Sequence, residues 1–250
     1  MVILKEAAIV TVRNSSTRFP DKSIKEIVGK STATDIVVER AKKTGFPVII
    51  ATSTAKSDDV FEKITQQHGV HIFRGSLLNK IKRWYDCFNE YHIENALLID
   101  GDDLSYDYDI GIRAMMQLRT GKFDIIANPD DIVTGFFTYA INFDAIKKLY
   151  DIVPSDDANT DVITKFLEKS HIGISTIELK EHERNKKYRL TLDYQEDLDF
   201  FRKLYDNVDF LAGGKEIIDY LDANKSVSEI NIHKQNDYLK NQDKFNEMVS

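Results

Sequence analysis

Two sets of carboxylates and one set of cations stand out because each follows a short apolar run. Asp100, Asp102 and Asp103 flank Gly101 directly after the run ALLI at 96–99. Asp193 ends the run YRLTL at 188–192, and Glu196 and Asp197 come just after it. The cations Arg13, Arg18 and Lys22 lie within residues 7–22, AAIVTVRNSSTRFPDK, where the apolar start gives way to Asn14-Ser15-Ser16-Thr17. Clustered carboxylates repel one another at neutral pH unless a cation sits among them. A small number of hard oxygen ligands suits magnesium that keeps waters and substrate phosphates. Cationic loops rich in hydroxyl and N–H donors are what a polyphosphate needs. Taken singly, each group has an ordinary explanation: a helix cap or turn at Asp102 and Asp103, first-turn helix charges at Glu196 and Asp197, and a solvated connection around Arg18. Gathered at one end of one sheet, they describe a phosphate-and-magnesium site.

Competing chemistries lack their patterns. His68, His71 and His92 show no H-E-x-x-H spacing, and Cys87, the single cysteine, can form neither an intrachain disulfide nor a cysteine zinc cluster. Ser15, Ser16 and Ser76 have no G-x-S-x-G context. Neither a G-x-G-x-x-G dinucleotide loop nor a G-x-x-x-x-G-K-[ST] phosphate loop occurs. Trp84 and Tyr85 read as core or interface aromatics, and Phe136, Phe137 and Tyr139 as core by default.

The elements that must position these residues alternate. Strands are expected at 46–51, 70–73 and 96–99, and helices at 34–44 (capped by Thr34 or Asp35), from Ser57 or Asp58 to His68, and at 77–91. Short connections between them are the mark of an α/β sheet. The later part is less regular, with helices expected at 108–118, 143–150, 160–169, 195–205 and 215–223. Strands are expected there at 123–127, 135–140, 172–179 and 188–192. This predicts one α/β domain over 1–233, with a smaller lobe around 130–185, and a polar C-terminal segment over 234–250. The 250 residues can bury a substantial core, and the formal charge of −7 argues against a general nucleic-acid binder. No signal-peptide layout or membrane-length apolar run is present, so a cytoplasmic protein with no membrane or nucleic-acid partner is expected.

At this point the motifs resemble a family. Residues 12–22, VRNSSTRFPDK, are similar to the A-R-x-G-S-x-R-L-P-G-K signature of bacterial cytidylyltransferases. The resemblance is to the spore-coat-polysaccharide type, related to the CMP-Kdo and CMP-sialic-acid synthetases. Ile36-Val37-Val38-Glu39-Arg40-Ala41, Ile50-Ala51-Thr52, Phe73-Arg74-Gly75-Ser76 and Asp100-Gly101-Asp102 resemble further family segments, and residues 188–198 resemble R-L-T-L-D-T-P-E-D-L. The resemblance implies a nucleotide-diphospho-sugar-transferase fold, a Rossmann-like, GT-A-like three-layer α/β sandwich with a smaller lobe often used for dimerisation, hence a homodimer. It implies transfer of CMP from CTP to a small acidic acceptor with release of pyrophosphate. Arg13, Arg18 and Lys22 would then be the catalytic cations, and Asp102 and Asp193 the magnesium ligands. Ala7, Arg13, Ser15, Ser16, Arg18, Lys22, Thr52, Arg74, Ser76 and Asp100 would surround the nucleotide. Departures from the pattern are Ser15 and Asp21 in place of glycines, Leu104 in place of a proline, and Tyr194-Gln195 in place of Thr-Pro. Two other functions stay open: a glycosyltransferase, since Asp100-Gly101-Asp102 reads literally as a D-x-D metal motif, and a degenerate nucleotide-binding protein.

Overall fold

Continuous runs of Val, Ile, Leu and Ala make strands that are buried on both faces, as in a parallel sheet covered by helices. The computed structural model describes residues 2–15, 19–184 and 187–240. In it β1 (Glu6–Thr11), β4 (Val48–Ser53), β5 (His71–Gly75) and β6 (Asn95–Asp100) pair in parallel. β7 (Ile125–Ala127), β8 (Tyr139–Asn142) and β9 (Ile174–Thr176) extend this to seven strands in the order β5-β4-β1-β6-β8-β7-β9, with β8 antiparallel to both its neighbours. β2 (Glu26–Val28) and β3 (Ser31–Thr32) form a separate antiparallel ribbon.

Successive residues of a strand point to opposite faces, and the core divides accordingly. Ala8, Val10, Ile50, Leu97 and Ile99 pack with the apolar stripes of α1 (Ala33–Lys42), α2 (Val60–His68), α4 (Tyr108–Leu118), α7 (Gln195–Tyr205) and α8 (Gly214–Ala223). Ala7, Ile9, Ile49, Ala51 and Leu98 pack with α3 (Lys80–Tyr91), α5 (Phe143–Asp151) and α6 (Thr164–Lys169). Helices on both faces of one sheet make the expected three-layer α/β arrangement. The short α9 (Lys225–Ser228) adds Val227 to the first face. No helix among the described residues is long and apolar enough to cross a membrane.

From β1 the chain moves outward through β4 to β5 and then returns to the other side of β1 as β6. The carboxyl ends of β1 and β6 therefore flank the point where strand order reverses, which is where open α/β sheets bind ligands. Thr11 and Asp100 are register partners at that edge.

The structure corrects several expected boundaries. Thr32, not Thr34 or Asp35, caps α1: its hydroxyl accepts from Asp35 N–H (3.3 Å), and Asp35 Oδ2 accepts from Thr32 N–H (2.7 Å). The strand expected at 135–140 begins only at Tyr139, because residues 128–138 are held by single bonds to separate partners. Val133 N–H donates to Glu183 (3.0 Å), and the Phe136 carbonyl accepts from Asp107 N–H (2.7 Å). Residues 188–192 are extended but form no strand. Leu190 N–H bonds the Thr134 carbonyl (2.9 Å) and Leu192 N–H bonds the Asp102 carbonyl (2.9 Å), two partners from unrelated segments. Within the stretch expected as a smaller lobe, 130–185, β8 and β9 join the main sheet.

Candidate active site

The turn after β6 lies hard against the end of β1. Gly101 N–H donates to the Thr11 carbonyl (2.9 Å), and a Cβ at Gly101 would lie 2.8 Å from that oxygen and 2.9 Å from Val12 Cβ. A glycine is what this approach permits. The turn closes through Asp103 N–H to the Asp100 carbonyl (3.1 Å), and it presents three carboxylates in four residues. Lys80, in the first turn of α3, stands 3.7 Å from Asp100. Burial, offset in part by Lys80 and reinforced by Asp102, pushes the Asp100 carboxyl above its ordinary range. Burial and the charges of Asp102 and Asp100 push Asp103 up further still.

The bond from Leu192 N–H to Asp102 delivers Asp193 to the same place. Asp193 is 1% exposed, and Lys22 closes the gap: its Nζ lies 2.7 Å from Asp102 Oδ2 and 3.0 Å from Asp193 Oδ1. Burial alone would lower the Lys22 ammonium, but the charges and hydrogen bonds of Asp102 and Asp193 outweigh it and hold it above its usual range. Lys22 opens a single 3-10 turn (Lys22–Ile24), entered from Asp21 in the left-handed conformation at φ 57°. That backbone explains why the resembling family has glycine there and why an aspartate, which tolerates this region better than most residues, can replace it. The Asp21 carboxylate accepts from Asn14 Nδ2 (2.8 Å).

The other expected site residues separate into groups. Arg13 stands at the loop, its guanidinium bonded to the Leu77 carbonyl (2.9 Å) and paired with Asp161. Ser15 is exposed on the same loop, while Ser16 and Arg18 lie outside the described residues. Thr52 is buried, and its hydroxyl donates to Asp58 (3.1 Å). Ser76 accepts from Asn79 N–H at the start of α3 (3.1 Å). The Arg74 guanidinium is tied to the Ser53 and Ala55 carbonyls (3.1 and 3.0 Å) and to Asp59 (2.7 Å), which gives it a bracing position on the 54–62 segment. Ala7 is fully buried in the α3-side core, four residues before the end of β1. At about 3.3 Å per residue that is roughly 13 Å from the loop.

The site also contains residues that the sequence did not mark. Asp58, fully buried, accepts from Asn14 N–H (2.8 Å), Ser53 N–H (3.2 Å) and the Thr52 and Ser53 hydroxyls, tying the loop after β1 to the end of β4. Its place just before a helix resembles any cap, so nothing local singles it out. Asp161 reaches Arg13 from across 148 positions of sequence. Asp197, expected as a first-turn helix charge, is fully buried and bonds Arg189 through both oxygens (3.0 and 3.1 Å) while accepting from Asp193 and Tyr194 N–H groups (2.8 and 3.0 Å).

The residues present fit a divalent cation. Among the described residues, Asp100, Asp102, Asp103, Asp193 and Asp197 are met by the cations Lys22, Lys80 and Arg189, and burial, together with the neighbouring carboxylates, raises Asp100 and Asp103. Hard carboxylate oxygens suit magnesium. An ion bound to Asp102 and Asp193 would take the seat that the Lys22 ammonium occupies. A different trio, Asp107, His182 and Glu183, also brings ligating atoms within 4.8 Å of one another. There Asp107 caps α4 and Glu183 is paired with Arg113, so both carboxylates already have partners.

The sequence pattern of the cytidylyltransferase family matches residues 7–103, the segment that carries the loop after β1 and the turn after β6. The spore coat polysaccharide biosynthesis protein SpsF of Bacillus subtilis is 25% identical over 209 residues, covering 79% of this chain and 85% of its own. A cytidylyltransferase from Leptospira borgpetersenii has the same fold, with a TM-score of 0.81, 22% identity and coverage of 90% of this chain and 97% of its own. A CMP-2-keto-3-deoxy-manno-octonic acid synthetase solved with CTP aligns with a TM-score of 0.63 and 17% identity, covering 81% of this chain and 98% of its own. Residues 7–103 thus carry the pattern of the cytidylyltransferase family, and the chain as a whole has the Rossmann-like fold of the nucleotidyltransferases it resembles.

Proposed function

We propose that the protein transfers CMP from CTP to a small acidic acceptor, an acidic sugar or a phosphate or phosphonate, in surface polysaccharide or related biosynthesis. The observation that carries this reading is the joint hold of Asp102 and Asp193 on Lys22 at the strand-order switch point, beside a cationic loop. An acceptor oxygen attacks the α-phosphorus of CTP, the bond from that phosphorus to the bridging oxygen breaks, and pyrophosphate departs with the electron pair. The acceptor's proton passes to solvent or to a neighbouring carboxylate. Lys22 and Arg13 bind the departing phosphates as charge builds on them, a role the sequence also gives to Arg18, so catalysis is positioning and charge stabilisation. Magnesium held by Asp102 and Asp193 would neutralise phosphate oxygens there. Support for the nucleotide comes from the CTP held by the CMP-2-keto-3-deoxy-manno-octonic acid synthetase, and support for the acceptor class and pathway from the names of that enzyme and of SpsF.

The test is incubation with CTP, magnesium and a panel of sugar acids, polyol phosphates and phosphonates. Pyrophosphate release coupled to a CMP-linked product is expected with at least one acceptor. Hydrolysis of a ready-made nucleotide sugar, with no pyrophosphate from CTP, would instead favour a glycosyltransferase built on the same fold.

A further inference from the structure

Asp193 divides its two oxygens: Oδ1 faces Lys22 and Oδ2 accepts from Arg189 Nη2 (3.0 Å). The plane of the Arg189 guanidinium therefore sets the direction in which the Oδ1 edge of Asp193 points. A guanidinium is a rigid fork whose donors cannot be re-aimed independently. Arg189 is 1% exposed, and a buried ion pair of this kind holds only while its geometry holds. Asp197 takes Nε and Nη2 on one side.

The remaining contacts come from far along the chain. Gln235 Oε1 accepts from Arg189 Nη1 (3.2 Å), and Gln235 Nε2 reaches the Thr134 hydroxyl (3.5 Å). The Tyr238 ring lies 4.9 Å from the guanidinium carbon and the Tyr194 ring 5.5 Å, so aromatic faces limit its tilt. Fully buried Asn231 bridges the Arg189 carbonyl and Asp197 Oδ1 through Nδ2 (both 2.9 Å). Burial, followed by the charges of Asp103, Asp193, Asp102 and Asp100, pushes the Tyr238 hydroxyl above a phenol's usual range, which places the ring within the field of the acidic cluster.

We infer that residues 231–238 are a positioning element for the reaction: Gln235 and Tyr238 fix the plane of Arg189, and through it the Asp193 carboxylate edge offered to the metal. The segment lies beyond both the family-matched residues and the helices of the three-layer core. Its polar composition reads as a peripheral tail, yet it closes the back of the site. The inference rests on the reading above that Asp193 serves a divalent cation. A purely structural role for the segment would affect thermal stability and nothing else.

The experiment measures Mn2+ binding to the full-length chain by electron paramagnetic resonance, alongside metal-free CTP affinity by calorimetry. Tyr238→Leu and Gln235→Ala should each weaken Mn2+ by about threefold to tenfold, at or below the low end seen for outer-shell partners of metal ligands. Metal-free CTP affinity should be unchanged in both. Tyr238→Phe keeps the aromatic face and should bind Mn2+ like the wild type. Wild-type Mn2+ affinity in both Tyr238→Leu and Gln235→Ala would overturn the positioning role while leaving the metal reading intact. No Mn2+ binding by the wild-type chain would overturn the metal reading, and the inference with it.

Discussion

At the scale of single residues, the cations at the site are already engaged by carboxylates. Lys22 bonds two carboxylates, Asp102 and Asp193, and Arg13 is paired with Asp161, so each described cation of the proposed phosphate grip has an internal partner. On the proposed function, Mg-CTP would exchange these partners: a metal held by Asp102 and Asp193 would take the place of the Lys22 ammonium, and phosphate that of the carboxylates. Lys22→Met should therefore leave Asp102 without its counter-charge and Asp193 with Arg189 alone, and cost roughly 3–5 kcal/mol of metal-free stability. Saturating Mn2+ should restore more of the melting temperature in this variant than it adds to the wild type, as thermal melts would show. Equal increments in the two proteins would mean that Lys22 and the metal do not share a seat. Asp103 supplies a second test. Its carboxyl is pushed well above the ordinary value of 3.8 by burial and by Asp102 and Asp100. The folded state therefore holds a proton that the unfolded state has released, and stability falls as pH rises from about that value through the raised one. Asp103→Asn should raise the metal-free melting temperature near pH 8, by about 2–4 °C for a gain of about 1 kcal/mol. The gain should vanish under acidic conditions where Asp103 is already protonated; a gain independent of pH would contradict the charge explanation.

At the scale of elements, the site depends on how closely the ends of β1 and β6 approach. A methyl group at Gly101 meets the Thr11 carbonyl at 2.8 Å, and that atom is backbone within a buried strand. Gly101→Ala should cost about 1–3 kcal/mol by overpacking and lower turnover by moving Asp102 off Lys22, measurable by denaturant titration and by pyrophosphate release on the same preparation. Elements of this kind were legible in the sequence because their signals are local. The apolar runs of β1, β4 and β6 and the stripes of α4 and α7 follow from periodicity; Asp102 and Asp193 stand out because each closely follows an apolar run, and Lys22 because it belongs to the cationic stretch after β1. What was not legible depends on contacts between distant segments. Residues 188–192 have a strand's composition, but their hydrogen bonds divide between Thr134 and Asp102, and no local pattern encodes that division. Asp58, Asp161 and Gln235 look like ordinary polar loop or helix residues until the fold brings them to Asn14, Arg13 and Arg189. Arg74, marked for the nucleotide by the family-like spacing, has a fork that braces the segment after β4, a set of contacts no local pattern encodes.

At the scale of the whole molecule, parallel strands β1, β4, β5 and β6 deliver their following loops to one edge, and a late segment returns across that edge with Asp193. The two proposed metal carboxylates are thus contributed by distant parts of the chain, and only the folded protein assembles them. The most direct test of this account is magnesium-dependent pyrophosphate release from CTP by Asp102→Asn and Asp193→Asn, each compared with the wild type and checked for native circular dichroism. The account predicts that each variant keeps the fold and loses at least about a hundredfold in turnover, the loss expected when several kcal/mol of metal-based charge stabilisation is removed. Wild-type turnover in either folded variant would contradict it.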